Sequence, residues 1–227
     1  MYSLVLVGCG ATGSNIATFI SQLAISEKKI DEIVLVDGDL VEAKNFRNQK
    51  FTKRDVGENK AKVLSRRFSK LGINISYIDK YVDDEKELIK ILSSCISQPI
   101  LVGAVDNNKC RKFMHFAFQS EEIPTLVYID TGNGDINHVG QTVMGVKVNN
   151  KIVRPDVGIY YPIILEEEDN KEKKDYKCSE IEEHPQSFAT NILSATTTFL
   201  MINNLINQVN SNTFVNFDAD KILIQRS

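Results

Sequence analysis

Short apolar runs alternate with amphipathic segments along the first part of the chain. The apolar runs, which are typical of buried strands, lie at 4–7, 33–36, 99–105 and 125–131, with a looser alternation at 73–82. The segments with helical spacing of apolar residues lie at 14–25, 55–70, 83–94 and 109–119. Strands that alternate with helices favour a parallel sheet covered by helices on both faces.

The pattern changes toward the C-terminus. Residues 132–135 predict a turn, residues 140–148 an antiparallel strand, and residues 213–224 two short strands. A long apolar helix is expected at 187–207, where it serves the core or an interface, and the charged run at about 166–178 predicts a mobile surface loop. The expected fold is therefore α/β, a Rossmann-like doubly wound sheet in a single domain. Its N-terminal half is parallel and its C-terminal half contains antiparallel strands.

Composition excludes several classes of protein. The 227 residues are 42% hydrophobic, enough for a substantial core, and a net charge of -3 with dispersed Lys and Arg gives no basis for binding nucleic acid. No apolar run is long enough to span a membrane, and no signal peptide is expected. The 4 cysteines include no Cys-x-x-Cys pair, so neither a zinc site nor a disulfide framework is expected. We predict a cytoplasmic protein with reduced thiols.

A glycine motif joins the first predicted strand to the first predicted helix. It reads G-x-G-x-x-G, with glycines at Gly8, Gly10 and Gly13. The first glycine permits a sharp turn, the second lets a phosphate approach the backbone, and the third lets helix and strand pack closely. The helix N-terminus also offers unpaired N–H groups to an anion. We predict a nucleotide site here; the alternative is a tight packing turn in another kind of α/β protein.

Carboxylates follow two of the predicted strands. Asp37 and Asp39 follow the strand at 33–36, where Asp37 is placed to accept hydrogen bonds from ribose hydroxyls; ordinary turn chemistry is the alternative for both. Asp106 follows the strand at 99–105, at the sheet edge where ligands of such folds bind. Its carboxylate suits Mg²⁺ beside phosphates. The alternative is an N-cap for the next helix, which is compatible with metal binding.

Donor side chains lie between these carboxylates in the sequence. Asn45, Arg47 and Gln49 occupy a stretch too polar for a core strand and suit phosphate oxygens, although a solvated loop has the same composition. Lys60 lies in the first turns of the helix predicted to open at Asp55, where it either reaches a triphosphate or is simply solvated.

These motifs occur in an order that is typical of one family. The segments that carry the likeness are Gly8–Gly13, Val36-Asp37-Gly38-Asp39-Leu40-Val41-Glu42, Asn45-Phe46-Arg47-Asn48-Gln49, Gly57-Glu58-Asn59-Lys60-Ala61, Ala104-Val105-Asp106-Asn107, and Gly132 with Gln141. Together they resemble the ThiF/MoeB/HesA family, the adenylating core of E1-like, ubiquitin-activating-type enzymes. The likeness extends over nearly the whole chain. In the family pattern N-L-x-R-Q the arginine stands one position later than Arg47.

The resemblance implies a concrete activity. Such enzymes bind ATP with Mg²⁺ and the C-terminal glycine of a ubiquitin-like or sulfur-carrier protein, and they join its carboxylate to AMP. A homodimer is implied as well. By this likeness Asp37 holds the ribose, Asn45, Arg47 and Lys60 hold the phosphates, and Asp106 holds Mg²⁺ or positions the reacting phosphate. Asp39 and Gln49 are further candidates for the nucleotide site, and Arg47, Lys60 and Asp106 are the candidate catalytic residues.

A fourth candidate catalytic residue is Cys178, which follows the charged run. Some members of the family transfer the activated tail to a cysteine on a mobile crossover loop, and Cys178 is similarly placed. The nearby Lys174 and Lys177 would favour its thiolate. The alternative is an incidental surface or packing cysteine, since adenylation needs none. Cys9, Cys95 and Cys110 lie in the glycine loop and in predicted helices, so we expect them to be structural.

Two other functions remain open on the sequence alone. The glycine motif and Asp37 also suit an NAD-dependent oxidoreductase, although that activity does not require Arg47, Lys60 or Asp106. An inactive E1-like subunit that scaffolds an active partner is the other alternative.

Overall fold

The computed structural model describes residues 1–134, 138–166, 187–210 and 212–226. Its strands are β1 (Tyr2–Val7), β2 (Ile30–Val36), β3 (Ile75–Ile78), β4 (Gln98–Gly103), β5 (Leu126–Asn133), β6 (Val139–Val148), β7 (Lys151–Arg154), β8 (Phe214–Asp218) and β9 (Leu223–Arg226). Its helices are α1 (Ala11–Glu27), α2 (Lys60–Phe68), α3 (Glu85–Ser93), α4 (Asn108–Gln119), α5 (Val157–Tyr160), α6 (Ile163–Glu166) and α7 (Phe188–Ile206), with 3₁₀ turns at Ala43–Arg47, Lys53–Asp55 and Ser69–Leu71.

The described strands form one mixed sheet. Their order is β3-β2-β1-β4-β5-β6-β8-β9, and β7 pairs with β6 outside this path. The neighbours among β1 to β5 are parallel, whereas β6 runs antiparallel to β5 and the later pairs are antiparallel too. The predicted α/β fold, parallel in its N-terminal half and antiparallel in its C-terminal half, is therefore confirmed.

Alternating side chains of the central strand build two cores. In β1, Leu4 and Leu6 face the core that also contains residues of α1, α2 and α7. Val5 and Val7 face the other core, with residues of α3 and α4. A fully buried parallel strand carries apolar residues on both faces, which explains the unbroken apolar runs in the sequence.

The strand order and the placement of the helices determine where a ligand can bind. The strand order reverses between β1 and β4, because α1 and α2 cover one face of the sheet and α3 and α4 cover the other. The connections after β1 and β4 therefore diverge and leave a crevice at the carboxyl ends of these strands. The glycine loop and Asp106 follow these two strands directly.

Two boundaries differ from the sequence-based expectation. The helix expected from Asp55 begins at Lys60, because Gly57 has a φ of 84° and Asn59 caps the helix by accepting a hydrogen bond from the Lys62 amide at 3.0 Å. The turn expected at 132–135 is wrong in its first half. Gly132 and Asn133 continue β5, since their backbone pairs with β6.

The long helix α7 packs inside the fold. It carries a buried polar row that includes Ser194 and Thr197, whose hydroxyls lie 2.6 Å from Thr131 Oγ1 and 2.7 Å from Thr142 Oγ1. Hydrogen bonding to β5 and β6 compensates for the burial of these hydroxyls.

Within the described residues, no helix has the length and apolar character needed to cross a membrane.

Asp55 anchors the turn that leads into α2. Its carboxylate accepts hydrogen bonds from the Thr52 amide at 2.7 Å and from Arg67 at 2.9 Å. Burial alone would raise its pKa, but the bonds from Thr52 and the charge of Arg67 outweigh burial and lower the pKa below the ordinary 3.8. The bonds therefore stabilise the fold above the unfolded pKa, and this contribution is lost as the pH falls through the lowered folded value.

Replacing Asp55 by Asn should lower the free energy of unfolding by about 2 kcal/mol at neutral pH, since charged hydrogen bonds are lost. Urea unfolding of both proteins over a range of pH tests this. The difference should shrink as the pH drops below 3.8. A difference that stays constant across that range would contradict the assignment.

Candidate active site

A cavity of about 640 Å³ opens at the carboxyl ends of β1, β2 and β4. Seven of the predicted site residues line it, and they come from five separate stretches of the chain: Gly8, Gly10, Asp37, Asp39, Gln49, Lys60 and Asp106. The volume is within the range of ligand sites, and a nucleotide fits that range.

The glycine loop has the geometry expected for phosphate binding. Gly8 has a φ of 92°, and a Cβ at Gly13 would lie 1.9 Å from the carbonyl oxygen of Gly8, so helix α1 packs against the loop with no room for a side chain. At Gly10, by contrast, a Cβ would meet no heavy atom within 4 Å. Gly10 lines the cavity and caps α1 without a side-chain hydrogen bond, which leaves the first N–H groups of the helix available to an anion.

These two glycines make a matched pair of substitutions. Gly13→Ala should lower the free energy of unfolding by about 3 kcal/mol, because the methyl group overlaps backbone. Gly10→Ala should change stability by less than about 1 kcal/mol but weaken nucleotide binding at least tenfold, because its methyl group enters the cavity. Urea unfolding and calorimetric ATP titration measure the two effects. Equal destabilisation by both substitutions would refute the difference in packing.

Asp37 is held rigidly at the end of β2. One carboxylate oxygen accepts the Cys9 amide at 2.6 Å and the other accepts the Asp39 amide at 2.7 Å. Burial raises the pKa of Asp37, and the two amides and Lys60 offset this only in part. The carboxylate thus links β2 to the glycine loop and still lines the cavity, where it is placed to accept ligand hydroxyls.

Lys60 lies almost entirely inside the protein. It is 6% exposed, and its Nζ donates to Asp39 Oδ2 at 2.8 Å. Asp39 also accepts a hydrogen bond from the Tyr81 hydroxyl. Burial alone would raise the pKa of Asp39, but these bonds outweigh it and lower the pKa below 3.8. A buried ammonium in a cavity wall is a strong anion-binding group because solvent screens it little.

Sequence reasoning missed Tyr81, whose ring lies over Gly38. A Cβ at Gly38 would come within 2.6 Å of the ring, so this position has no room for a side chain. The hydrogen bond to Asp39, aided by burial, raises the pKa of Tyr81 to about 12. Nothing in the sequence around Tyr81 marks it, because the contact joins residues that are far apart in the chain.

Asp106 is exposed in the cavity wall. Among the described residues, Asp106 Oδ1 accepts one long hydrogen bond, from Asn107 Nδ2 at 3.5 Å. The residue that caps α4 is Asn107, whose Oδ1 accepts the Cys110 amide at 2.8 Å. The N-cap alternative for Asp106 is thus wrong. An uncommitted carboxylate fits Mg²⁺, and Gln49 Oε1, buried without a hydrogen-bond partner in the described residues, fits a donor such as a metal-bound water.

Other predicted residues lie elsewhere. Asn45 is 6% exposed and its Oδ1 accepts the Glu42 amide at 2.8 Å, so it supports the 3₁₀ turn. Arg47 is exposed and does not line the cavity; Asn48 does. Cys178 and the charged run that contains it lie outside the described residues, apart from Glu166.

The three described cysteines are free thiols that are wholly or partly buried, which fits the structural role expected for them. Cys9 and Cys110 are buried, and burial raises the pKa of the Cys9 thiol. Burial likewise raises the pKa of Cys95 to about 11. The thiols of Cys9 and Cys95 are therefore poor nucleophiles at neutral pH. Among the described residues no cluster of His, Cys, Asp or Glu could hold a metal by itself.

A buried ion pair was also missed, and its arginine, Arg111, lines the cavity. Arg111 Nε donates to Asp130 Oδ2 at 3.2 Å, and Tyr128 donates to Asp130 Oδ1 at 3.1 Å. Asp130 is 2% exposed, so burial raises its pKa, and Arg111 offsets this only in part. The available signal was a carboxylate inside an otherwise apolar strand, since such a group needs a partner.

Several solved structures share this fold, although no curated protein matches the chain. E. coli MccB with ATP is 22% identical with a TM-score of 0.66, and the alignment covers 99% of this chain and 63% of that one. E. coli MccB with AMPCPP and MccA is 23% identical with a TM-score of 0.65 and the same coverage. Selenomethionine PaaA is 17% identical with a TM-score of 0.68, and the alignment covers 100% of this chain and 64% of PaaA.

The chain therefore spans less than two thirds of these proteins, and at such identities the likeness shows the fold alone. Family membership has separate support. The model of the ThiF family matches residues 1–226, nearly the full length of the chain. The motif order and the fold agree with this match: the chain belongs to the ThiF family.

Proposed function

We propose that the chain is an E1-like adenylyltransferase. In this proposal it uses MgATP to adenylate the C-terminal glycine of a ubiquitin-like or sulfur-carrier protein, acting in the cytoplasm as a homodimer. The observation that carries the proposal is the shared cavity. A glycine loop with free helical amides, a buried lysine and an uncommitted carboxylate, Asp106, line one space of nucleotide size.

The chemistry that this arrangement supports is an in-line displacement. A carboxylate oxygen of the carrier attacks the α-phosphorus of ATP; the new P–O bond replaces the bond to the bridging oxygen, and pyrophosphate leaves. Both reactants are anions, so the site must lower their repulsion. Lys60 and the amides at the start of α1 supply positive charge, and Asp37 accepts the ribose hydroxyls.

Asp106 and Gln49 are the residues that would hold Mg²⁺ and its water. When bound, the ion neutralises phosphate charge. The remaining requirement is orientation: a fixed loop, a fixed lysine and a fixed carboxylate keep the reacting groups aligned without a general base.

The alternative function, an NAD-dependent oxidoreductase, requires a different set of residues in the cavity. A dinucleotide site needs the glycine loop and Asp37, but it needs neither a buried lysine nor Asp106. Selective, Mg²⁺-dependent binding of ATP over NAD, measured by calorimetry, separates the two functions. Tight NAD binding without ATP binding would replace our proposal.

Intact-mass spectrometry tests the reaction itself. The protein is incubated with MgATP and a small β-grasp protein that ends in glycine, with and without thiol reductant. We expect a carrier–AMP species. A reductant-sensitive adduct that disappears in Cys178→Ser would add transfer to Cys178. An inactive scaffold subunit would give neither species.

A further inference from the structure

The loop that carries Asp106 has few supports of its own. The chain leaves β4 at Gly103 and enters α4 at Asn108. Between them, the Ala104 amide donates to the Val7 carbonyl at 2.9 Å, and Asn107 caps the helix. The exposed side chain of Asp106 contributes no strong hydrogen bond to this loop among the described residues.

Arg111 connects this loop to the sheet. One Nη donates to the Val105 carbonyl at 2.6 Å, the other donates to Asn108 Oδ1 at 3.3 Å, and Nε donates to Asp130. The guanidinium is therefore hydrogen-bonded both to Val105, the residue immediately before Asp106, and to Asn108, the first residue of α4. Its side chain is only 13% exposed, so water competes little for these bonds.

The surrounding backbone leaves space for this ion pair. A Cβ at Gly103 would lie 2.8 Å from Asp130 Oδ1, and a Cβ at Gly132 would lie 3.4 Å from Arg111 Nη2. Strands β4 and β5 thus each have a glycine where the Arg111–Asp130 ion pair packs against them. Asp130 is in turn fixed by the Tyr128 hydroxyl, so the anchor of Arg111 belongs to the rigid centre of the sheet.

We propose that Arg111 is a positioning residue for Asp106, with Asp130 as its anchor. This inference rests on the proposed function, since it concerns the alignment of Asp106 for adenylation. The role requires a planar group with several donors. A lysine in this place would keep the charge opposite Asp130 but could not reach the Val105 carbonyl, Asn108 and Asp130 together.

Two readouts on Arg111→Lys test the proposal. In hydrogen exchange, the amides of Ala104 and Cys110 should exchange about tenfold faster, because both bonds depend on a fixed loop. In steady-state adenylation, kcat should fall about tenfold to a hundredfold while KM for ATP stays within about twofold, because Arg111→Lys keeps the positive charge in the cavity wall and loses only the alignment of the loop. Asp130→Asn should act in the same direction.

Arg66→Lys is the matched control. Arg66 also holds a carboxylate with two bonds, to Glu58 at 2.7 and 2.8 Å, but on the exterior of α2. The Arg66→Lys substitution should leave both kcat and the hydrogen exchange of the Ala104 and Cys110 amides unchanged. Wild-type exchange of the loop in Arg111→Lys, or faster exchange spread evenly over the sheet, would overturn the positioning role. The exchange measurement needs no carrier, so it stands even if the proposed adenylation fails.

Discussion

Asp106→Asn should lower the rate of carrier adenylation by roughly a hundredfold to a thousandfold, the loss typical of removing one charge-stabilising group. The free energy of unfolding should change by less than about 0.5 kcal/mol, because Asp106 is exposed and supports no packing or helix cap. Rates from pyrophosphate release and stabilities from urea unfolding measure the two quantities.

The matched control for this change is Asp79→Asn. Asp79 is also an exposed aspartate near the carboxyl end of a strand, but it does not line the cavity. It should keep the wild-type rate. Unchanged turnover in Asp106→Asn, or an equal loss in both variants, would remove Asp106 from the proposed mechanism.

The second large effect concerns Lys60. We expect Lys60→Gln to reduce adenylation by roughly a hundredfold to a thousandfold, since it removes the buried positive charge from the cavity wall. Stability should fall by about 1 kcal/mol or less, because its partner Asp39 is half exposed. The pKa of Asp39 should rise toward 3.8, since its hydrogen bond from Lys60 is lost. NMR titration of the carboxylate measures that rise.

Lys62→Gln controls for the loss of a lysine on the same helix. Lys62 is exposed and lies outside the cavity, so both the rate and the pKa of Asp39 should stay close to those of the wild type. A Lys60→Gln protein that retains full activity would show that the lysine serves only the ion pair with Asp39.

Local patterns sufficed to predict most of the fold. The apolar runs of β1 and β4 are buried on both faces, and their short length and flanking turn residues favour strands over buried helices. The glycine loop was also predictable, since its spacing encodes a backbone turn. Boundaries were harder, because Gly57 and Asn59 end and restart helical structure through their own conformation and hydrogen bonds.

Site residues could be predicted from the sequence only where the local segment, such as the end of a strand, fixes their position in the fold. Asp37 and Asp106 follow strands, so their position along the chain sets their position in space. Arg111 and Asp130 escaped notice because α4 and β5 meet only in the folded protein. A single sequence gives no direct measure of such a contact.

The polar segment after β2 shows a third limit. Arg47, Asn48 and Gln49 follow one another, and composition cannot tell which of them faces the cavity. The 3₁₀ turn directs Asn48 and Gln49 to the cavity and leaves Arg47 exposed. The role of Arg47 at the phosphates stays a prediction, whereas Asn45 is accounted for by its bond within the turn.

The fate of ATP tests the central claim most directly. The wild-type protein is incubated with α-labelled ATP, Mg²⁺ and a β-grasp carrier that ends in glycine, and the labelled products are separated. Our account predicts carrier–AMP together with pyrophosphate, formed only when the carrier keeps its terminal glycine. Formation of ADP and phosphate, or ATP turnover that ignores the carrier, would contradict it.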